Sequence, residues 1–328
     1  MIADLHCDLL CYLKGDSKRT AYDHAVRCAI PQLKSGGVRL QIMAIYTDTN
    51  PNSTDEGLAQ AQVFAKLPKL YPTEFRFVQN PEELSNQSPA IGIMAAIENA
   101  SSFAKEKEPL QESLARFNTI RKMCGKIVYV SLTWNTENRF GGGAHSTVGL
   151  KTDGMQLIDF LQAKNIAIDL SHASDQLIID IFNYLDHKKY QTPILASHSN
   201  FRKIADVPRN LPEEFAKEIM RREGLIGLNF IRSFIGEKDH LNLARQLEYG
   251  LEIGGANHLC FGADFYHLED IPLPYRKPPD AAFFPEFSNA GDYAKVLKLW
   301  KNHLTLPDDL LYDISYGNLQ KYLSTKIL

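Results

Sequence analysis

The sequence lacks the features of secreted and membrane-spanning proteins. It contains five cysteines at irregular spacing, an odd number that argues against a framework of disulfides. Its N-terminus, MIADLHCDLL, has neither a basic start nor an apolar run before a cleavage site, so no signal peptide is expected. No apolar run approaches the roughly 20 residues that cross a bilayer. We therefore expect a cytoplasmic protein without a membrane partner.

An excess of one charge is also missing. The 36 Lys and Arg residues nearly balance the 39 Asp and Glu residues, for a formal net charge of −3, and the basic residues are scattered. Nucleic acid and anionic membranes are therefore not expected as partners. The sequence also lacks a G-x-S-x-G elbow, a Walker loop and a dinucleotide fingerprint. These absences leave no common motif for a serine nucleophile or a bound nucleotide.

Short β-rich runs alternate with longer segments of helical periodicity along the chain. The eight predicted strands are Ala3–Asp8, Arg39–Tyr46, Ala90–Glu98, Ile127–Trp134, Ile166–His172, Pro193–Ser199, Leu225–Ile231 and His258–Phe265. Several runs, such as IVYVSL and LIGLNF, are apolar at consecutive positions, as in strands buried on both faces. A length of 328 residues suits one barrel of about 250 residues with insertions. The pattern predicts an α/β fold, a single-domain (β/α)8 TIM-like barrel over residues 1–328.

The segments between the strands carry the helices and one long loop. Helical spacing of apolar residues predicts helices at Gly57–Leu67, Pro109–Cys124, Thr152–Lys164 and Pro212–Arg222. Residues 268–292 follow the eighth strand and are rich in proline and aromatic residues. Because loops after barrel strands lie on the catalytic face, this segment is interpreted either as a lid or pocket wall, or as a loop packed on the barrel rim.

Ionisable residues fall at the predicted ends of strands that are distant in sequence. His6 and Asp8 end the first strand, Glu98 ends the third, and His172 and His198 end the fifth and sixth. The carboxyl ends of all strands in a parallel barrel lie on one face, where active sites are built. These five side chains are therefore expected to converge. Each alone could be a buried group satisfied locally, but four strand ends together are hard to explain as independent accidents.

The residue types define the chemistry of this candidate site. Imidazole nitrogen and carboxylate oxygen are both good zinc ligands, and manganese, cobalt or iron would accept the same set. Five ligands exceed one open tetrahedral site but fit two ions about 3.5–4 Å apart if one carboxylate bridges them. Glu98 has the position to bridge. Two ions would hold a hydroxide between them and polarise a substrate carbonyl. The sequence therefore predicts a metal-dependent hydrolase.

The segments around these residues resemble the membrane dipeptidase (renal dipeptidase) family of zinc peptidases over nearly the whole chain. In order, they are DLHCD at 4–8, AIEN around Glu98, IDLSHAS around His172, LASHS around His198, PRNLPE at 208–213, LNF at 228–230, HLCFGADF at 258–265 and YGN at 316–318. Their order and approximate spacing agree throughout. The resemblance implies hydrolysis of a dipeptide at two zinc ions, with His6 and Asp8 on one, His172 and His198 on the other, and Glu98 bridging.

The resemblance also assigns roles outside the ligand set. Arg209 would hold the C-terminal carboxylate of the substrate, for which a guanidinium fork is well suited. Asp264, at the end of the eighth strand, would contact the substrate amine and assist proton transfer, so that Asp264 and Glu98 are the expected catalytic carboxylates. Family members are often homodimers, which leaves a homodimer open here. The lipid anchor of the animal members is not expected, because this chain shows no leader or hydrophobic tail.

Two segments depart from the family pattern. Family members carry a histidine after L-T at the end of the fourth strand, where it helps to bind the scissile carbonyl, whereas this chain has Trp134. Asn135, Asn138 or His145 could supply the missing donor. The usual D-F-D-G reads DFYH at 264–267. We therefore expect an intact metal site beside a changed substrate pocket that includes Trp134 and Asn135.

These departures keep two other functions open. The first is an amidohydrolase-like enzyme that acts on a cyclic amide, a lactone or an N-acyl amino acid, because Trp134, Tyr266 and His267 alter the expected pocket. The second is a metal-binding protein that senses or sequesters a ligand without turnover, which the presence of Arg209 and Asp264 beside a complete ligand set disfavours.

Overall fold

Parallel strands close into a barrel in the computed structural model, which describes residues 1–85, 88–276, 278 and 281–328. Within these residues the strands are β1 (Ile2–Cys7), β2 (Val38–Tyr46), β3 (Phe75–Phe77), β4 (Ile91–Glu98), β5 (Ile127–Ser131), β6 (Ala167–Asp169), β7 (Ile194–Ala196), β8 (Leu225–Leu228) and β9 (Leu259–Phe261). β1 pairs with β2 and β9, and β2 also pairs with β4, so the ring is closed. The predicted (β/α)8 barrel is confirmed.

The short strand β3 was not predicted. It pairs with residues 91–93 of β4, whereas β5 joins β4 only from Ala95 onward. β3 therefore covers the beginning of β4, whose backbone would otherwise lack a neighbour on that side. Its sequence, Phe-Arg-Phe, is too short to give a periodic signal.

Several strands end earlier in the sequence than predicted. His172, His198 and Asp264 were expected to close strands, but regular pairing stops earlier, at Asp169, Ala196 and Phe261 respectively. The backbone explains two of these cases, because φ is +68° at His172 and +63° at Asp264, which is incompatible with an extended strand. These side chains therefore project from turns directly above the barrel rather than from the strands themselves.

Helices surround the barrel. Those within the described residues are α1 (Leu9–Gly15), α2 (Ile30–Ser35), α3 (Ser53–Leu70), α4 (Pro81–Leu84), α5 (Leu110–Cys124), α6 (Thr152–Lys164), α7 (Asp175–Lys188), α8 (Glu213–Arg221), α9 (Arg232–Ile235), α10 (Asn242–Glu252), α11 (Tyr293–His303), α12 (Asp308–Tyr312) and α13 (Asn318–Tyr322). The four predicted helices correspond to α3, α5, α6 and α8. Among the described residues, no helix is both long and apolar enough to cross a membrane.

Helix α7 shows how local sequence positions the site. Ser174 caps its N-terminus by accepting a hydrogen bond from the Leu177 backbone N–H at 3.0 Å. Ile178, Ile181 and Leu185 recur at helical spacing and are buried. The cap lies only two residues after His172, so packing of α7 against the barrel fixes the turn that presents this histidine.

Alternation along the strands decides which side chains enter the barrel. In β4, Met94 and Ala96 belong to the apolar cluster inside the barrel, whereas Ile93, Ala95 and Ile97 belong to the layer between strands and helices. Side chains two residues apart on a strand share a face. The sequence of β4 therefore places the carboxylate of Glu98 on the interior face at the carboxyl end of the barrel.

The C-terminal helical segment closes the opposite end of the barrel. It runs from α12 through Ile327, with π-helical turns at Asp313–Gly317 and Leu323–Ile327. Leu319 and Leu323 join the interior apolar cluster. The Tyr322 hydroxyl donates to the carbonyl of Ile194, the first residue of β7. This segment therefore fills the end of the barrel opposite the candidate ligands.

The proline- and aromatic-rich segment at 268–292 is built from short 3-10 turns. Ile271 and Tyr275 line the cavity above the candidate ligands, whereas Phe283 and Phe287 are buried in the core. Residues 277, 279 and 280 lie outside the described part of the chain. The segment therefore combines a pocket wall with a packed part, and its action as a lid stays a prediction.

Candidate metal centre and substrate cavity

Glu98 lies between the histidines that the sequence analysis selected. One carboxylate oxygen, Oε2, is 3.2 Å from His6 Nε2. The other, Oε1, is 2.9 Å from His172 Nε2 and 3.8 Å from His198 Nε2. Asp8 adds a carboxylate oxygen 3.8 Å from His6 Nε2. The structure thus brings all five expected ligands together, with the two oxygens of Glu98 facing different sets.

Three groups of side chains in this region have the spacing of metal ligands. Among the described residues, sets of ligand atoms within 4.8 Å of one another are His6, Asp8 and Glu98; Glu98, His172 and His198; and His6, His198 and Asp264. Glu98 belongs to the first two sets. Asp264, which was not expected as a ligand, lies near enough to join the third, with Oδ1 3.7 Å from His6 Nε2.

Each histidine has a hydrogen-bond partner on its far nitrogen. His6 Nδ1 shares a hydrogen bond of 2.7 Å with the Tyr129 hydroxyl. His172 Nδ1 lies 2.8 Å from Asn135 Oδ1, which can only accept, so Nδ1 carries the proton. Partners of this kind fix the orientation of the ring and leave a free electron pair on Nε2.

His198 is oriented in the same way by Ser197. The Ser197 hydroxyl donates to Asp169 Oδ2 at 2.8 Å and therefore accepts from His198 Nδ1 at 2.7 Å. Sequence analysis missed Ser197, Asp169 and Tyr129. Tyr129 belongs to an apolar strand with no motif, and Ser197 precedes a histidine without any spacing that would mark its role.

The ligand atoms of these side chains suit divalent cations. His172 Nε2 and His198 Nε2 lie 2.8 Å apart, and their tautomers direct two electron pairs at each other. His6 Nε2 and Asp8 Oδ1 are buried and have no hydrogen-bond partner among the residues that the structure describes. Buried polar atoms without partners are costly, and a cation bound by them would satisfy all four.

Burial governs the charge state of the protein groups. It raises the pKa of Glu98 to about 8 and that of Asp264 to about 7. It also lowers the pKa of His172 and of His198 well below their ordinary value, so both rings stay neutral at neutral pH. A cation must therefore displace protons from the carboxyl groups, and metal binding is expected to release protons.

A cavity of about 590 Å³ opens above these groups, lined by Asp8, Glu98, His172 and Asp264 at its base. Arg209 lies in its wall and is only 5% exposed. Its guanidinium donates to the His198 carbonyl at 3.3 Å and packs 5.2 Å from the ring centre of Phe234. Its Nε has no partner among the described residues, so donors remain for a substrate.

Comparison with known proteins decides the family. The sequence model of the membrane dipeptidase family, peptidase family M19, matches residues 1–275. The chain belongs to the membrane dipeptidase family. This membership supports a metal-dependent hydrolase and confirms the resemblance that the motifs carry.

The chain is also similar to individual proteins and solved structures. An uncharacterized protein from the pqqA 5′ region of Klebsiella pneumoniae is 27% identical over 243 residues, which are 68% of this chain and 83% of that protein. A Rhodobacter sphaeroides metallo peptidase, solved with a phosphinate mimic of L-Ala-D-Ala, has a TM-score of 0.83 at 18% identity and covers 99% of both chains. An amidohydrolase of Pseudomonas aeruginosa has a TM-score of 0.77 at 15% identity over 98% of this chain and 95% of its own. These two structures share the fold.

Trp134 forms part of an aromatic wall in this membrane dipeptidase family member. Its indole packs edge-to-face between Tyr46, at 5.3 Å, and Tyr275, at 4.9 Å. Burial raises the pKa of Glu98, and the Trp134 side chain is among the neighbours that partly offset this rise. The Trp134 side chain therefore lies next to the carboxylate that the two candidate ligand sets share.

The other residues considered as substitutes for the missing histidine differ in position. Asn135 lines the cavity, but its carbonyl oxygen is used by His172. Asn138 is buried in the loop, where its amide donates to the Leu132 carbonyl at 2.8 Å and to Asn99 Oδ1 at 3.0 Å. The expectation for Asn138 as a pocket donor is therefore wrong. His145 lines the cavity beside Tyr275 and is a neutral ring whose pKa is lowered by burial.

The metal-free protein should become less stable as the pH rises above neutrality. Burial raises the pKa of Glu98 from 4.5 to about 8, so the folded state binds more protons than the unfolded state between these values. The free energy of unfolding therefore falls across this range. His172 and His198 act in the opposite direction, but only below their ordinary pKa of 6.5.

We expect the urea midpoint of EDTA-treated protein to fall from about pH 7 to about pH 8, the range in which the carboxyl effect is unopposed. Glu98→Gln should reduce this fall, because a neutral amide replaces the carboxyl group, whereas Asp8, whose pKa is also raised by burial, continues to contribute. Glu112→Gln, at an exposed position of α5, is the matched control and should leave the fall unchanged. A wild-type midpoint that rises over this range would contradict the raised pKa.

Proposed function

We propose that this protein is a dinuclear zinc dipeptidase that cleaves the amide bond of a small substrate with a free C-terminal carboxylate. One observation carries the proposal: the two oxygens of Glu98 face His6 and His172 separately, at 3.2 and 2.9 Å, at the base of a cavity that Arg209 enters. His6, Asp8 and Glu98 would hold one ion. Glu98, His172 and His198 would hold the other.

Bound divalent ions would supply an activated water and polarise a carbonyl, as in two-metal hydrolases. Zinc suits imidazole and carboxylate ligands, although manganese, cobalt or iron can occupy the same set. The chain itself supplies orientation. Tyr129, Asn135 and Ser197 hold the three imidazoles with Nε2 directed at the centre, so that the ligands need no rearrangement.

Arg209 would bind the substrate carboxylate. Its guanidinium is buried in the cavity wall and has donors to spare, and burial of a fixed cation favours an anionic partner. Phe234 beneath it and Tyr266 and Tyr275 in the wall offer apolar contacts to side chains of the substrate. A cavity of about 590 Å³ has room for a dipeptide.

Asp264 would move the proton. Its Oδ2 accepts a hydrogen bond of 2.9 Å from Asn229 Nδ2, which fixes the carboxylate and leaves Oδ1 toward the centre. As the water oxygen bonds to the carbonyl carbon, Asp264 takes one water proton. As the C–N bond breaks, the same proton passes to the leaving amine, and the carboxylate is restored.

A second candidate is hydrolysis of a cyclic amide, a lactone or an N-acyl amino acid. It is favoured by Trp134 and Tyr266, which make the cavity more aromatic than the family pattern implies. The non-catalytic alternative, a protein that binds metal and ligand without turnover, leaves Asp264 without a role. Homodimer formation and a cytoplasmic location stay predictions.

The reaction is tested with a substrate panel. Zinc-loaded protein is assayed with L,L-, L,D- and dehydro-dipeptides, N-acyl amino acids, cyclic amides and lactones, and we expect turnover of dipeptides. Asp264→Asn should lower kcat by roughly 100-fold or more, because proton transfer is lost, while metal content measured by atomic emission stays unchanged. Asp308→Asn, at an exposed position of α12, is the control. Absence of turnover with every dipeptide would refute the proposal.

The role of Arg209 is tested by comparing each dipeptide with its C-terminal amide. Arg209→Met should lower kcat/KM for the free acid by roughly 100-fold, the effect of losing a charge-assisted contact, and should change the value for the amide little. Arg221→Met, on the surface of α8, is the matched control. Equal losses of kcat/KM for the free acid and the amide would show that Arg209 does not bind the carboxylate.

A further inference from the structure

One phenolic hydroxyl beside the candidate ligands is left without a partner. Tyr46 is 6% exposed and lines the cavity with Asp8 and Glu98. Its hydroxyl is buried and makes no hydrogen bond to any residue in the described part of the chain. A buried hydroxyl without a partner is unfavourable, so its presence at the cavity wall points to a ligand that pairs with it.

The backbone places Tyr46 at the reacting end of the barrel. It is the last residue of β2, and its Cα partner across the sheet is Glu98, the last residue of β4. Leu40 and Ile42 point into the barrel, so strand alternation directs Tyr46 to the same interior face. The side chain therefore stands next to the carboxylate that both candidate metal sets share.

The position of Tyr46 is also rigid. Gln60 from α3 brackets its peptide, because Gln60 Oε1 accepts from the Tyr46 N–H at 3.0 Å and Gln60 Nε2 donates to the Tyr46 carbonyl. The ring packs edge-to-face on Trp134 at 5.3 Å. A donor held in this way reorganises little during a reaction, which is what electrostatic stabilisation of a transition state requires.

Two of the neighbouring donors are placed elsewhere. Asn138 is bound within its loop, where its amide donates to the Leu132 carbonyl, and the Trp134 side chain lies against Glu98. The remaining rivals are His145 and the amide nitrogen of Asn135, which line the same cavity. Both come from the irregular loop after β5, whereas Tyr46 is fixed at a strand end.

We propose that Tyr46 is a catalytic residue whose hydroxyl donates a hydrogen bond to the oxygen of the scissile carbonyl. This inference rests on the hydrolysis proposed above. When water adds to the carbonyl carbon, the electron pair of the C=O bond moves to oxygen, and the phenol pairs with the negative charge while keeping its own proton. When the C–N bond breaks, the carbonyl re-forms and the contact weakens. Tyr46 thus supplies the donor that Trp134 does not.

The test is Tyr46→Phe in the zinc-loaded protein. We expect kcat to fall by roughly 100-fold, as when one oxyanion donor is removed, with KM changed little. Affinity for a phosphinate dipeptide mimic, measured by calorimetry, should fall in parallel, because its tetrahedral oxygens resemble the charged state. Metal content should stay unchanged, and the thermal midpoint should not fall, because the removed hydroxyl has no partner.

Tyr249→Phe is the matched control, since that hydroxyl donates to Glu213 far from the cavity and its loss should leave kcat and phosphinate affinity unchanged. One contrary outcome is that Tyr46→Phe keeps the wild-type kcat and phosphinate affinity, whereas His145→Ala loses both. This outcome would assign the contact to His145 and overturn the proposal. Loss of zinc from Tyr46→Phe would assign the hydroxyl to ion binding and overturn it equally. If wild-type protein binds the phosphinate but cleaves nothing, the proposed function fails, and phosphinate affinity still decides on Tyr46.

Discussion

The buried carboxylate of Glu98, held between imidazoles from three separate parts of the chain, is the contact on which the site depends. Its pKa is raised to about 8 by burial, and the nitrogens around it present electron pairs rather than protons. Below this pKa Glu98 carries one proton, which cannot pair with all three imidazole nitrogens, and His172 Nε2 and His198 Nε2 still face each other as acceptors at 2.8 Å. A closed parallel barrel makes this arrangement possible, because the carboxyl ends of all its strands lie at one end of the barrel. The C-terminal helical segment fills the opposite end.

The barrel and its ligand set could be predicted because both leave strong local signals. Continuous apolar runs such as those of β4 and β5 mark strands buried on both faces, and ionisable residues directly after them are conspicuous. The ends of the strands could not be predicted in the same way. Pairing stops before His172 and Asp264 because the backbone of both residues has positive φ. The residue types histidine and aspartate do not indicate this conformation in a sequence.

The residues that orient the candidate ligands were harder to predict from the sequence. Tyr129 resembles any aromatic residue of a buried strand, and only the barrel geometry brings its hydroxyl to His6, 123 positions away. Trp134 was recognised as a substitution, but the contact of its side chain with Glu98 depends on tertiary packing. Asn138 was misjudged because a polar residue in a loop beside the cavity can instead hold the loop together. The ligand set is thus encoded locally, whereas the pocket is encoded by contacts between distant segments.

The most direct test of this account is anomalous diffraction at the zinc edge from crystals of the zinc-loaded protein. The account predicts two peaks per chain on opposite sides of Glu98, each about 2.0–2.2 Å from a different oxygen of its carboxylate. The peak near Oε2 should also contact His6, and the peak near Oε1 should contact His172. A single peak, or a pair of ions that Glu98 does not join, would contradict the central claim.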